Sequence, residues 1–323
     1  MWRHLSPIMS VVLLASAAAG ANAAEAYPSR PIRMIVPFAT GGNADILGRV
    51  IGQGLTSALG QQVVIDNRPG ANGVIGTDLA AKAPPDGHTL LFVATGHATN
   101  PSLYDKLPFD PVRDFAPVGL TSRTPLLLAV TPSLPARSVK ELIAIAKNRP
   151  RELSFASAGN GSSAHLAGAL FNTLTGVEIV HVPYKSTAQA TIDLIGGRMQ
   201  VIYPSITSVL LHVKAGKVRA LAITSAKRSA LVPDLPTVAE SGVPGYEAAI
   251  WNGVLAPAAT RGVVVRRLNA ALVATTRSTE MKERVASMGA DATSSTPEAF
   301  AAFIKSEIAK WGRIIAASGA KID

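Results

Sequence analysis

From Ile32 onward, short runs rich in β-branched residues alternate with stretches whose apolar residues recur at helical spacing. That alternation points to an α/β fold, because strands of this kind are covered by the helices that follow them. Ile32 to Val36 reads as the first strand, ended by Pro37. A helix is expected from about Asn43 to Leu59, with Ile46, Leu47, Val50, Ile51 and Leu55 on one face. Val63 to Asp66 reads as a second strand, turned by Asn67-Arg68-Pro69-Gly70. A helix at about Gly73 to Ala83 stops at Pro84-Pro85-Asp86-Gly87, and Thr89 to Ala94 is the third strand.

A second set begins with Leu126 to Thr131. Ser138 with Glu141 three residues on forms a capping box for a helix to about Asn148. Strands at Leu153 to Ala156, Glu178 to Val182, Met199 to Tyr203 and Val218 to Thr224 then alternate with helices at Ser162 to Leu174, Ala188 to Ile195 and Val209 to Ala215. A helix near Val263 to Thr276 follows. Thr296-Pro297 opens a last one whose Phe300, Phe303, Ile304, Ile308 and Trp311 form a core-facing stripe. No short repeat and no Gly/Ser or Pro-rich tether separates the halves, so two lobes joined by strands that cross between them are expected.

The N-terminus points to export. Met1 to Arg3 is a cationic start, Ile8 to Ala19 is apolar except for Ser10 and Ser16, and Ala21-Asn22-Ala23 has the small-x-small pattern of a cleavage site. The apolar run falls short of the roughly 20 residues a membrane span needs. Residues 1–23 are therefore expected to be a signal peptide and the mature chain to be periplasmic. The chain has no cysteine, which closes both a lipid anchor at the cleavage point and any disulfide. Stability must come from burial, which a chain of this length can supply.

Lysines and arginines number 31 against 21 acidic residues, a formal charge of +10. The basic residues are scattered, with only Lys227-Arg228 and Arg266-Arg267 adjacent, and no aromatic-interleaved stripe marks a nucleic-acid partner. A positive field that steers small anions fits better.

Two loops carry the candidate chemistry. Phe38-Ala39-Thr40-Gly41-Gly42-Asn43-Ala44-Asp45 follows a strand and opens a helix, so free backbone N–H groups and the helix dipole favour an anion there. It has neither a Walker Gly-Lys-Ser/Thr nor G-x-G-x-x-G spacing, and a plain turn capped by Asn43 is the structural alternative. Ser157-Ala158-Gly159-Asn160-Gly161-Ser162-Ser163 repeats the arrangement in the second half, with simple N-cap chemistry as its alternative. Facing each other, the two loops would clamp a ligand with two anionic ends.

Enzymatic readings find less support. The histidines form no H-E-x-x-H and no close pair, so neither a metal nor another cofactor is expected. Ser162 and Ser163 near His165 suggest a hydrolase or isomerase, but no G-x-S-x-G elbow exists and residues two apart on a helix do not face each other. His165 reads instead as a helix residue that borders a pocket or caps a loop.

The chain resembles the tripartite tricarboxylate transporter substrate-binding proteins, the TctC or Bug family, over essentially its whole mature length. The resemblance is carried by Tyr27-Pro28-Ser29-Arg30-Pro31-Ile32, Pro37-Phe38 with Gly41-Gly42 and Asp45, Asn67-Arg68-Pro69-Gly70-Ala71 and Asp86-Gly87-His88-Thr89-Leu90. It continues in Asp114-Phe115-Ala116-Pro117-Val118, Ala158-Gly159-Asn160-Gly161-Ser162, Val182-Pro183-Tyr184-Lys185 and Pro233-Asp234-Leu235-Pro236-Thr237-Val238-Ala239-Glu240. It implies an α/β type 2 periplasmic-binding-protein fold, with residues 24–125 and 225–323 in one lobe and 126–224 in the other. It also implies a monomer that is not an enzyme and that delivers a small carboxylate, a di- or tricarboxylate or an aromatic acid, to membrane permease subunits. A ligand-sensing role beside a signalling receptor is the alternative use of the same closed form.

By the same resemblance, the carboxylate is gripped by the loop from Phe38 to Asp45 and answered by Ser157 to Ser163 and residues near Tyr184. The expected site therefore adds His97, His165, Tyr184, Lys185, Tyr203, Pro204 and Ser205 to the two loops. Phe38, Tyr184, Tyr203 and Trp251 are candidates to line an apolar slot, with ordinary packing as the alternative. The chain departs from many relatives at Ser186, where they have glycine, and at Pro204, where they carry aspartate. Without that carboxylate, a ligand lacking an amine is expected.

Overall fold

The computed structural model describes residues 27–321, and the signal peptide expected at 1–23 lies outside the described residues. The described residues build two mixed sheets. The first has the order β11-β4-β10-β3-β1-β2 and the second β7-β6-β8-β5-β9.

In the first sheet, β1 (Ile32–Val36) lies between β2 (Val63–Asn67) and β3 (Thr89–Ala94), both parallel to it. β1 is covered on both faces, which is why its sequence is a nearly continuous apolar run. Two long strands complete the sheet: β4 (Phe115–Pro125) and β10 (Ala249–Pro257) pair antiparallel, and β10 pairs antiparallel with β3. The short β11 (Asp291–Ala292) edges β4.

The second sheet takes β5 (Leu127–Val130), β6 (Ser154–Ser157), β7 (Val180–Pro183), β8 (Val201–Ile202) and β9 (Arg219–Ile223). β6 runs parallel to β7 and β8, whereas β5 is antiparallel to β8 and β9. Only Leu126 separates β4 of the first sheet from β5 of the second, and the chain returns between β9 and β10.

Helices cover both sheets. α1 (Asn43–Leu59) ends where Gly60 adopts a left-handed conformation and returns its N–H to Thr56. α2 (Val74–Ala81) and α3 (Gly96–Leu103) follow in the first half. α4 (Val139–Asn148) starts with the expected cap, Ser138 Oγ accepting from the Glu141 N–H. α5 (Ser163–Thr175), α6 (Thr187–Ile195) and α7 (Ile206–Lys214) pack on the second sheet, and α8 (Gly262–Arg277) and α9 (Thr279–Ser287) return to the first. The last helix, α10 (Pro297–Ser318), is capped by Thr296 Oγ1 and packs on α3 and β4 of the first half and on α5 of the second. Its Phe300, Ile304 and Trp311 are buried, with Phe303 and Ile308 packed beside them. One apolar cluster accordingly runs from Leu91 and Val93 through Trp251 and Phe300 to Leu128 and Phe155.

The elements absent from the expected pattern are α3, β4, β10, α9 and β11. No described helix is long and apolar enough to cross a membrane.

Candidate functional site

Several helices begin at the carboxyl ends of parallel strands, the position where open α/β sheets place their ligands, and three of these starts converge. α1 follows β1, α3 follows β3, and α5 follows β6. Their starts meet in one cleft of about 210 Å³. The first half supplies Phe38, Asn43 and Ala44, then Ala94, Thr95, Gly96 and Thr99. Asn72, Ile250 and Asn252 close that side, and the second half contributes Gly161, Ser162, Ser163 and Leu166. None of these residues carries a formal charge.

The polarity of the cleft therefore comes largely from the backbone. The first N–H groups of a helix have no partner within it. Asn43, Ala44, Gly96, His97, Ser163 and Ala164 stand at those positions, and none of their backbone N–H groups donates a hydrogen bond within the described residues. Each start also carries about half a positive charge from its helix dipole. An anion is the complement of such a cleft.

Both expected loops are braced from behind. The Asp45 carboxylate accepts from the Gly41 N–H at 2.9 Å, from Asn67 Nδ2 at 2.9 Å and from Arg49 Nε at 3.1 Å. Asn67 Nδ2 also donates to the Phe38 carbonyl at 3.1 Å. Burial pushes the Asp45 pKa up, but the bonds from Arg49, Gly41 and Asn67 and the Arg49 charge outweigh it, so the group stays below the usual carboxylate range. Gly41, at φ 83°, makes the turn that presents this N–H.

In the second loop, Gly159 and Gly161 take φ of 110° and 72°. Ser157 Oγ holds Gly159 through its N–H at 3.1 Å and its carbonyl at 3.0 Å, and lies 2.6 Å from His181 Nε2. The Gly161 N–H donates to His165 Nδ1 at 3.1 Å, and Ser162 Oγ caps α5 through the His165 N–H.

Of the residues expected at the site, Phe38, Asn43, Ala44, Gly161, Ser162 and Ser163 line the cleft. Thr40, Gly41, Gly42, Ala158, Gly159 and Asn160 complete the same loops, while Asp45, Ser157 and His165 are buried behind them. The others lie elsewhere. His97 packs its ring between Phe109 and Phe115, with Nε2 2.8 Å from the Pro111 carbonyl, and burial holds its pKa down at about 4. Its place in the sequence is right for the α3 start, but its side chain points into the core. Tyr203 and Pro204 are buried behind the sheet end, Ser205 precedes α7, and Lys185 is exposed. Tyr184 donates to Asp193 at 2.8 Å, and Trp251 donates its indole N–H to Glu307 at 3.0 Å. Of the four aromatic candidates for an apolar slot, Phe38 alone lines the cleft.

Asn72, Thr95, Gly96, Thr99 and Asn252 were not expected. Thr95-Gly96 after the third strand is a strand-to-helix junction like the other two, but Pro101 and an eight-residue span hide its helix. Asn72, at φ 52°, is held by Asn100, whose Oδ1 accepts from Asn72 Nδ2 at 2.8 Å and whose Nδ2 donates to the Asn72 carbonyl at 3.1 Å.

The model for the tripartite tricarboxylate transporter family receptor, TctC, matches residues 47–320. Protein BugT of Bordetella pertussis is 39% identical over 324 residues, covering 99% of both chains. Rpa4515 of R. palustris, solved with adipate, is 40% identical with a TM-score of 0.76, covering 92% of this chain and 100% of that one. MatC from Rhodopseudomonas palustris, solved with bound malate, is 31% identical with a TM-score of 0.71, covering 90% of this chain and 100% of that one. With a family match across most of its length and two-lobed binding proteins as its structural neighbours, this chain belongs to the TctC family of tripartite tricarboxylate transporter receptors.

Proposed function

We propose that this chain is a periplasmic receptor for a small linear dicarboxylate, exported with loss of residues 1–23, that presents the acid to membrane permease subunits. The observation that carries this reading is the meeting of three helix starts in a cleft with no charged lining residue. α1 and α3 offer N–H groups from one sheet and α5 from the other, which matches an acid with a carboxylate at each end. At about 210 Å³ the space is smaller than the roughly 300–1,000 Å³ that drug-sized ligands occupy. The adipate and malate held by two family members are acids of this class.

The lobes are assigned as residues 24–125 with 225–323, and 126–224, moving about the two crossings as a monomer. Closure then supplies the second set of N–H groups, and the ligand drives it through contacts made only in the closed state. The lining holds no carboxylate to pair with an ammonium group, so amino acids are excluded from the preferred ligands.

Binding without turnover is the expected activity. Ser162 Oγ accepts from the His165 backbone N–H, and His165 Nδ1 accepts from the Gly161 N–H rather than from either serine, which supports binding over a nucleophile–base pair. Ser157 does meet His181, but it is buried behind the loop and not among the cleft-lining residues.

Thermal unfolding of the chain from Ala24, refolded to strip ligand, tests the reading against adipate, malate, citrate, benzoate and glutamate. A dicarboxylate at a hundred times its Kd is expected to add about 2.7 kcal/mol, raising Tm by about 4 °C in a chain of this length. Glutamate is expected to leave Tm unchanged. Stabilisation by glutamate above that by the dicarboxylates, or by none of the acids, would sink the proposal.

A further inference from the structure

The second loop is wired to a pair of histidines that the binding site itself does not use. His165, in the first turn of α5, and His181, on the edge strand β7, stack with ring centroids 3.8 Å apart and planes 14° from parallel. Phe155 of β6 lies 4.9 Å from His181 and 6.3 Å from His165, and is itself wedged against Tyr203 at 5.9 Å. Gly168 makes room for this stack, because a Cβ there would sit 2.4 Å from Phe155 Cε2.

Each histidine reaches a different point of the loop. His165 Nδ1 accepts from the Gly161 N–H, so in the neutral ring its proton sits on Nε2. His181 Nε2 meets Ser157 Oγ, which in turn grips both the N–H and the carbonyl of Gly159. The two glycines have positive φ and need outside contacts to keep one conformation. Between them they aim Gly161, Ser162 and Ser163 at the cleft.

We propose that the stacked His165–His181 pair is a positioning device: its two ring contacts fix the Ser157–Ser163 loop in the conformation that offers the α5 start to the ligand. The proposal rests on the receptor reading for its effect on affinity, but not for its effect on the loop. The pair does this as neutral rings, since a proton on Nδ1 would remove the acceptor for Gly161. Burial favours that neutral state, and each ring is held near pKa 4, His181 also by the neighbouring His165. The helix dipole at the α5 start opposes a cation there as well. Arg151 and Glu178, which border the pair's outer side, ion-pair with each other at 4.0 Å. The end of α10 adds the uncharged Ala317 and Ser318.

The test compares His165→Ala, His165→Asn and His181→Ala, each checked for fold by circular dichroism. Adipate affinity is read by calorimetry at pH 7.5 and Gly161 amide exchange by NMR in the ligand-free protein. Asparagine places an uncharged acceptor oxygen near the position of Nδ1, whereas alanine does not. Losing one hydrogen bond of this kind is expected to weaken adipate about tenfold in His165→Ala. Gly161 exchange should accelerate in the same variant, and both properties should return most of the way to wild type in His165→Asn. His181→Ala, at a half-buried edge position that folds more readily, should accelerate Gly159 and Gly161 exchange together. Unchanged Gly161 exchange in both alanine variants would overturn the proposal. Equal loss in His165→Ala and His165→Asn would also do so, because it would mean the ring acts by packing alone. If the wild type binds no adipate, the ligand reading fails while the exchange measurements still decide this one.

Discussion

At the scale of single residues, Asp45 braces the first loop without lining the cleft. Asp45 is buried and gathers Gly41, Asn67 and Arg49 into one network beneath the first loop. Asp45→Ala would leave the Gly41 N–H and Asn67 Nδ2 without that acceptor, and an unmade bond of this kind costs about 1–3 kcal/mol. The expected result is a folded protein that denatures earlier in urea and binds adipate at least about tenfold more weakly. Wild-type affinity in this variant would show that the first loop holds itself. His97 makes the complementary point. It follows Gly96 at the α3 start, yet its ring packs between two phenylalanines.

Among the elements, α10 packs on both halves and is tied to β10 by a buried cluster. Its Glu307 is buried and accepts from Trp311 Nε1 at 2.8 Å and, on β10, from Trp251 Nε1 at 3.0 Å. Lys310 completes the cluster through an ion pair with Glu307. Glu307→Leu strands both indole donors, and the loss of stability expected from urea unfolding is about 2–6 kcal/mol at about 1–3 for each. A loss below about 0.5 kcal/mol, the level of an ordinary surface change, would contradict the role assigned to this cluster. The elements also mark how far the sequence alone could be read. The bounds of β1, α1, β3 and α4 stand where Pro37, Gly60, Thr89 and the Ser138 cap suggest, because each carries a local stop or start signal. β4 and β10 escape such reading because their apolar residues are interrupted by Gly119, Gly253, Pro117 and several hydroxyls. Tertiary pairing makes them strands, as neither has a clean alternation of its own.

Across the whole molecule, the site was half legible for the same reason. Two helix starts were marked by paired glycines, and the third was not. The contribution of β10 through Ile250 and Asn252 follows only once the sheet is assembled. The buried histidines also set how the fold responds to acid. His97, His165 and His181 have pKa values of about 4 in the folded protein, against about 6.5 in an unfolded chain. The unfolded state therefore binds more protons between these values, so stability is fully present above about pH 6.5 and is lost as pH falls toward 4. His97 alone is expected to cost about 2 kcal/mol at pH 5. The urea midpoint should accordingly drop between pH 7.5 and 5, and His97→Phe should flatten that drop; a midpoint that holds constant would contradict the neutral burial. In the proposed function, uncharged helix starts from two lobes hold a dicarboxylate without altering it. Calorimetric titration of the ligand-stripped chain with adipate at pH 7.5, followed by recovery of the acid, tests it most directly. A saturable one-to-one heat and adipate recovered intact are expected; no saturable heat, or a chemically changed acid, would overturn the receptor reading.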